Sequence, residues 1–204
     1  MGVIFIFFDL TKLWTIILLI IFSAFVIYLV REDYMNEDQL QVITVILVWL
    51  DYIIVILLVG YGVWQQIWSF HFFTIISLIL GTILILTGVL LIMLSLYEFR
   101  TIERMSDLDQ SKLITSGIYG CSRNPQNVGL ILVLFGISIA GTSIYSIVIS
   151  SVFLIVFASY VPIEERHLIT IFGENYVQYR HDTSRYLDIK CVAKFILQLV
   201  QVMK

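Results

Sequence analysis

Five apolar stretches, most of them long enough to cross a bilayer, restrict this chain to a small set of folds. They cover residues 13–30, 40–60, 72–97, 125–140 and 143–161. The hydrocarbon core of a membrane is about 30 Å thick, so a helix needs roughly 20 apolar residues to span it. With 60% hydrophobic residues and a mean hydropathy of +0.98, the chain is predicted to be an all-α, polytopic membrane helix bundle with about five transmembrane helices.

The sequence contains no linker and no low-complexity segment, so we expect a single integral-membrane domain over residues 1–204. The first apolar stretch lacks the basic start and small-residue cleavage site of a signal peptide, so we expect it to be retained. After residue 187, polar residues recur at spacings that place them on one helical stripe: Lys190, Lys194, Gln198 and Gln201. This pattern predicts an amphipathic helix over residues 188–204 that lies on the membrane surface and anchors the chain rather than taking part in chemistry.

Positive charge is distributed to one side of the membrane. If the chain crosses five times, Lys12 lies alone on one side and the other eleven of its twelve Lys and Arg residues lie opposite. Basic residues concentrate in cytoplasmic loops. The distribution therefore predicts an outside N-terminus and a cytoplasmic C-terminus. Two polar segments, residues 112–127 and 164–185, should both face the cytoplasm.

Cysteine and histidine place limits on redox and metal chemistry. Cys121 and Cys191 both fall on the predicted cytoplasmic side, where thiols stay reduced, so we expect no disulfide. The three histidines are scattered without metal-ligand spacing. We therefore expect no bound metal, and we expect no nucleic-acid partner.

Charged residues next to the predicted helix ends are candidates for ligand binding. Arg123 precedes Asn124 and Pro125, which together predict a helix start with an N-cap residue and proline at the first helical position. A guanidinium beside a helix N-terminus attracts carboxylates and phosphates, although an arginine here also suits lipid headgroups. Glu164 and Glu165, at the predicted end of the last apolar stretch, suit either a cationic ligand or a solvated helix end.

The apolar stretches contain features that predict packing. Gly81 and Gly88, like Gly129 and Gly136, lie seven residues apart and mark faces that allow helices to approach closely. The short connection at residues 141–143 predicts an antiparallel hairpin. Asp51 lies midway along the second stretch. Because a charge at the bilayer centre costs about 2.5–3.5 kcal/mol, it should face the bundle or be protonated. We expect a structural hydrogen bond to a Tyr or Ser, with a role in a pocket as the alternative.

The order of these residues resembles a known superfamily. The series L-I-x-S-G-I-Y-x-x-x-R-N-P-x-N-x-G comes first, then two predicted helices. The series V-P-x-E-E-x-x-L-x-x-x-F-G-x-x-Y-x-x-Y-x-x-x-x-x-R follows. Together they resemble the isoprenylcysteine carboxyl methyltransferase and phospholipid methyltransferase superfamily over about residues 81–187.

That resemblance implies an integral-membrane enzyme that moves a methyl group from S-adenosyl-L-methionine to a lipophilic acceptor in the bilayer, with an isoprenylcysteine-type carboxylate as the expected acceptor. Arg123 would hold the cofactor carboxylate, Glu165 a cationic or hydroxyl part, and Leu113 and Tyr119 the adenine side. The implied cofactor-binding set is Leu113, Gly117, Tyr119, Arg123, Asn124, Pro125, Asn127 and Glu165. The implied catalytic residues, which would orient the acceptor, are Glu164 and Arg185.

The chain departs from the superfamily pattern in two places, and three further functions stay open. The usual R-H-P-x-Y has Asn124 and Asn127 in place of its histidine and tyrosine, and no proline follows Arg185 at the expected position. A phospholipid N-methyltransferase would need a base, for which Glu164 and His167 are the candidates. The lost histidine and tyrosine are compatible with a non-catalytic nurim-like membrane protein. The C-termini of sterol reductases look similar in outline, so an NADPH-dependent membrane reductase is the third alternative.

The topology prediction can be tested with the two cysteines. We expect an impermeant thiol reagent to label neither Cys121 nor Cys191 in intact, right-side-out cells, and to label both after permeabilisation. Labelling of either residue in intact cells would overturn the predicted orientation.

Overall fold

The computed structural model describes residues 10–36, 40–70, 74–99 and 113–202. Every regular element in these ranges is helical, which confirms the predicted all-α class. The α-helices are α1 (Leu10–Asn36), α2 (Val42–Trp64), α3 (Thr74–Phe99), α4 (Pro125–Ala140), α5 (Ile144–Phe172), α6 (Glu174–Asp182) and α7 (Ile189–Val202), and a 3-10 turn at Gly117–Gly120 precedes α4.

Four of these helices, α1, α2, α3 and α5, are long and apolar enough to cross a membrane. Helix α4 has the same bounds as the predicted fourth stretch, and its 16 residues extend only about 24 Å. Large apolar side chains cover the outer surfaces; Leu57, for example, is 65% exposed and Ile75 is 75% exposed. Such surfaces suit hydrocarbon rather than water, and the chain is a multi-pass membrane protein.

Helix α5 is the central element, since it contacts α1, α2, α4 and α6. It continues beyond the apolar stretch, which ends at residue 161, to Phe172, because Pro162 removes one N–H donor without ending the helix. It stops where Gly173 adopts φ 55° and ψ −132°, a conformation that glycine tolerates best. The extension places Glu164 and Glu165 on a regular helix.

Close packing of α3 against α4 confirms the predicted glycine faces. Gly81 lies opposite Gly136, and Gly88 lies opposite Gly129. A Cβ atom at Gly88 would overlap the Gly129 carbonyl oxygen, and one at Gly81 would overlap the Gly136 carbonyl oxygen. Backbone thus packs directly on backbone, which fixes the depth of α4 relative to α3.

The turn between α4 and α5 forms the predicted antiparallel hairpin. Ser143 caps α5 by accepting a hydrogen bond from the Ser146 N–H at 3.2 Å. The Thr142 carbonyl accepts from the Phe70 N–H at 2.9 Å. This bond ties the turn between the two helices to the segment after α2.

Two pairs of buried polar side chains join helices inside the bundle. Ser23 donates to Asp51 Oδ1 at 2.8 Å, and Asp51 is 3% exposed. The predicted inward orientation of Asp51, with a serine partner, is confirmed. Ser138 and Ser150 hydroxyls lie 3.0 Å apart and join α4 to α5. These bonds satisfy groups that would be costly to bury alone.

We expect Gly88→Ala to destabilise the protein by about 1–3 kcal/mol, because the added methyl group forces α3 and α4 apart. Gly60→Ala is the matched control, since a Cβ at that position meets nothing within 4 Å and alanine favours helix. Thermal unfolding of detergent-solubilised protein measures both variants. Equal stability of the two variants would contradict the close contact.

Candidate functional site

An ion-pair network connects three segments at the common end of α4 and α5. Arg123, just before α4, donates through Nη2 and Nε to Glu165 Oε1 at 2.7 and 3.0 Å. Arg185, after α6, donates through Nη2 to Glu165 Oε2 at 2.7 Å and through Nε to Oε1 at 3.2 Å. The Glu165 carboxylate therefore lies between two guanidinium groups. The structure brings together three of the residues that the sequence singled out.

The two arginines differ in their burial. The side chains of Arg123 and Glu165 are 6% and 5% exposed, whereas that of Arg185 is 39% exposed. Arg123 Nη1 also donates to the carbonyl oxygens of Arg180 and Thr183, at 2.7 and 2.5 Å. Four of the five Arg123 N–H groups are thus engaged. Arg123 is fixed within the protein, and Arg185 is the cation that a ligand reaches more easily.

The segment between α6 and α7, residues 183–188, runs along the loop before α4; we call it the strap. The Arg123 N–H donates to the Ser184 carbonyl at 3.0 Å, and the Asp188 N–H donates to the Cys121 carbonyl at 3.1 Å. Asn124 Nδ2 donates to the Arg185 carbonyl at 3.1 Å. These bonds place the strap directly over the start of α4.

The start of α4 confirms one expectation and corrects another. Pro125 occupies the first turn, as predicted. Asn124 is the N-cap residue, but its side chain makes no capping bond. Its amide is used by the strap instead, and its own N–H donates to Ser122 Oγ at 3.1 Å. The prediction of a capping side chain is therefore wrong, because a tertiary acceptor competes for it.

Two tyrosines of α6 support the network. Tyr179 donates to the Tyr119 carbonyl at 2.7 Å. Burial raises the pKa of the Tyr179 hydroxyl well above its usual value. Burial also raises the pKa of Tyr176, and the charges of Glu165 and Glu164 raise it further. Both hydroxyls are therefore neutral at physiological pH. Because Glu164 and Glu165 both act on the Tyr176 hydroxyl, the two side chains share one electrostatic environment.

The Tyr119 side chain lies in an apolar cluster with Leu91 and Ile118, where it is 7% exposed. Val192 and Phe195 of α7 pack against this cluster. The predicted amphipathic helix is present from Ile189 to Val202, but part of its apolar face contacts protein. Leu113, at the start of the same loop, is half-buried.

Gly117 is the position in this loop where the backbone requires glycine. Its φ is +60°, and a side chain there would overlap the carboxylate of Glu98. Ser116 donates to Glu98 Oε2 at 3.3 Å. The loop is therefore held against the end of α3 by an acidic residue that the sequence motifs did not indicate.

The remaining candidates lie at different distances from the network. Asn127 Oδ1, in the first turn of α4, accepts from the Tyr52 hydroxyl of α2 at 3.1 Å. The His167 ring stacks on Tyr34 of α1, with centroids 4.0 Å apart. Because His167 is two residues from Glu165, it projects from nearly the opposite side of α5. The hydrogen bonds described above for the Arg123–Glu165–Arg185 network do not involve His167.

The structure contradicts the expectation that there is no disulfide. Cys121 and Cys191 are bonded, with Cα atoms 5.4 Å apart. Their separation of 70 residues hid this proximity, which arises because α7 packs back against the loop before α4. The expectation relied on the redox state of the predicted compartment. Labelling of these cysteines to test topology therefore requires a reducing step with an impermeant reductant.

Several groups in the network gave no signal in the sequence. The carbonyl oxygens of Arg180 and Thr183, which accept from Arg123, could not be found from residue type, because every residue has a carbonyl group.

Among the residues that the structure describes, no group of three or more His, Cys, Asp and Glu side chains is placed to hold a metal.

Part of the chain matches a known protein family. Residues 76–175 match the family described as phospholipid methyltransferase. The matched segment includes Arg123, Glu164 and Glu165, whereas Arg185 and both ends of the chain lie outside it. Among curated proteins, none matches this chain. The chain is therefore a multi-pass membrane protein whose residues 76–175 match the phospholipid methyltransferase family, within the isoprenylcysteine and phospholipid methyltransferase superfamily.

Proposed function

We propose that this protein transfers a methyl group from S-adenosylmethionine to a lipophilic acceptor in the bilayer, with an isoprenylcysteine-type carboxylate as the acceptor. The observation that supports this most directly is the Arg123–Glu165–Arg185 network at the shared end of α4 and α5, most of it inside the family match. The charge distribution of the sequence supports a cytoplasmic orientation of this end.

The charged groups of the network fit the cofactor. Its amino-acid part carries one carboxylate and one ammonium group, and the network offers guanidinium and carboxylate groups within one cluster. When bound, S-adenosylmethionine supplies an electrophilic methyl group on a sulfonium. In this proposal, Arg123 and Glu165 form the base of the site, and the more accessible Arg185 orients the acceptor together with Glu164. The proposed cofactor-binding set also includes Leu113, Gly117, Tyr119, Asn124, Pro125 and Asn127.

A carboxylate acceptor suits the titratable groups at this position. It is already ionised at pH 7, so it needs no general base, and His167 is stacked on Tyr34 instead. Arg185 provides a partly exposed guanidinium that pairs well with a carboxylate. The remaining contribution of the protein is to align the acceptor and exclude water.

A phospholipid amine is the second candidate acceptor. The family description favours it, and so does Glu164, a half-buried residue whose carboxylate suits a cationic headgroup. An amine has to lose a proton before it attacks, and Glu164 is the acidic side chain beside the network that would accept it.

The cofactor assignment predicts the binding behaviour of variants. We expect Arg123→Ala and Glu165→Ala each to weaken binding of S-adenosylhomocysteine, because each removes charge-assisted bonds worth about 1.5–3 kcal/mol, or roughly 10- to 150-fold in affinity. Isothermal titration of solubilised protein measures the change. Arg166→Ala is the matched control, since Arg166 is adjacent in sequence but exposed and should bind as wild type does.

Conservative variants and a second ligand serve as controls for this prediction. Arg123→Lys and Glu165→Gln keep the approximate size of each side chain, so they separate loss of binding from loss of fold. Wild-type affinity in all four folded variants would remove the proposed site. Binding of NADPH in place of S-adenosylhomocysteine would favour a membrane reductase, and binding of neither would favour a non-catalytic protein.

The acceptor is tested with labelled S-adenosylmethionine and two sets of vesicles. We expect label to enter a farnesylated cysteine analogue and to be released as methanol by alkali, because a carboxyl methyl ester hydrolyses and an N-methyl group does not. Alkali-stable label in phosphatidylethanolamine vesicles alone would overturn the carboxylate assignment and support a phospholipid acceptor.

A further inference from the structure

We propose that the Cys121–Cys191 disulfide is a redox latch that holds the strap closed over the Arg123–Glu165 pair. The disulfide form would slow the exchange of ligands at this pair, and the dithiol form would permit it. The part that concerns cofactor exchange rests on the function proposed above, whereas the movement of the strap does not.

The strap covers the buried charges. Thr183 is 8% exposed, and its carbonyl oxygen accepts from Arg123. Ser184 accepts from the Arg123 backbone N–H. Because the Arg123 and Glu165 side chains are almost fully enclosed, a solute that contacts them has to displace strap bonds first. Ligand exchange at this pair therefore depends on how readily the strap opens.

The disulfide fastens the far end of the strap. Asp188, its last residue, accepts at Oδ1 from the N–H groups of Lys190 and Cys191, at 2.9 and 3.1 Å, and so caps α7. The sulfur bridge then ties the first turn of α7 to Cys121, two residues before Arg123. The hydrogen bonds of the strap are individually weak and compete with water, whereas the bridge stays closed until it is reduced.

A small-molecule thiol such as glutathione can open the Cys121–Cys191 bridge by thiol–disulfide exchange. A thiolate attacks Cys191, which is half-buried, and displaces the buried Cys121 sulfur. A second thiolate releases Cys191 from the mixed disulfide. Overall, the protein S–S bond breaks, both protein sulfurs gain a proton, and two small thiols are oxidised to one disulfide. The reverse reaction with that disulfide closes the latch.

The test compares oxidised and reduced wild-type protein in lipid nanodiscs, with an impermeant phosphine as reductant. We expect reduction to accelerate hydrogen exchange at the Arg123 and Asp188 amides, and dissociation of S-adenosylhomocysteine, by about tenfold or more; tenfold corresponds to about 1.4 kcal/mol. Cys191→Ser should exchange like the reduced protein and should not respond to the phosphine. Differential alkylation followed by mass spectrometry gives the redox state of each sample.

The results of this test distinguish failure of the redox latch from failure of the proposed cofactor assignment. Equal amide exchange in the oxidised and reduced forms would overturn the latch, as would failure of the reduced, folded protein to re-form the bridge with glutathione disulfide. Faster amide exchange without binding of S-adenosylhomocysteine would leave the latch standing and remove the proposed cofactor. Binding with a dissociation rate independent of the bridge would support the cofactor and overturn the latch.

Discussion

The buried Glu165 carboxylate, held between Arg123 and Arg185, is the interaction on which the rest of this end of the molecule depends. An enclosed charge is costly unless it is paired and hydrogen-bonded, and here three chain segments have to meet to satisfy it. The loop before α4 supplies one arginine, the strap supplies the other, and α5 supplies the carboxylate. The bonds to Glu165 also raise the pKa of Arg185 above its usual value, so the Arg185 guanidinium stays protonated.

The network can form only because the helices are positioned with little freedom. Backbone contact at Gly88 and Gly129 sets the depth of α4, and the short turn before α5 returns the chain to the same face. Helix α5 then has to continue through Pro162 to carry Glu165 to the level of Arg123. A helix α5 that ended with the apolar stretch at residue 161 would have left both glutamates in a loop.

The candidate site was predicted in part from residue type and order. Arg123, Glu165 and Arg185 come from segments that the sequence marked as polar, and they do lie together. Their bonding was not predictable, because the motif indicated roles toward a ligand and the structure shows bonds from each arginine to the same carboxylate. Tyr119 was expected to line a ligand, and its side chain packs in an apolar cluster. Asn124 was expected to cap a helix and instead bonds to the strap.

The sequence by itself determined the helical class, the membrane setting, the hairpin of α4 and α5, and the glycine faces between α3 and α4. These features follow from the composition and periodicity of residues within one or two helical turns of each other. They can be predicted without knowing which helices pack together. Only the tertiary structure decided the bond between Cys121 and Cys191, the stacking of His167 on Tyr34, and the contact of Glu98 with the loop at Gly117. Each of these joins residues far apart in the chain, so each depends on how the helices pack and not on the residues nearby.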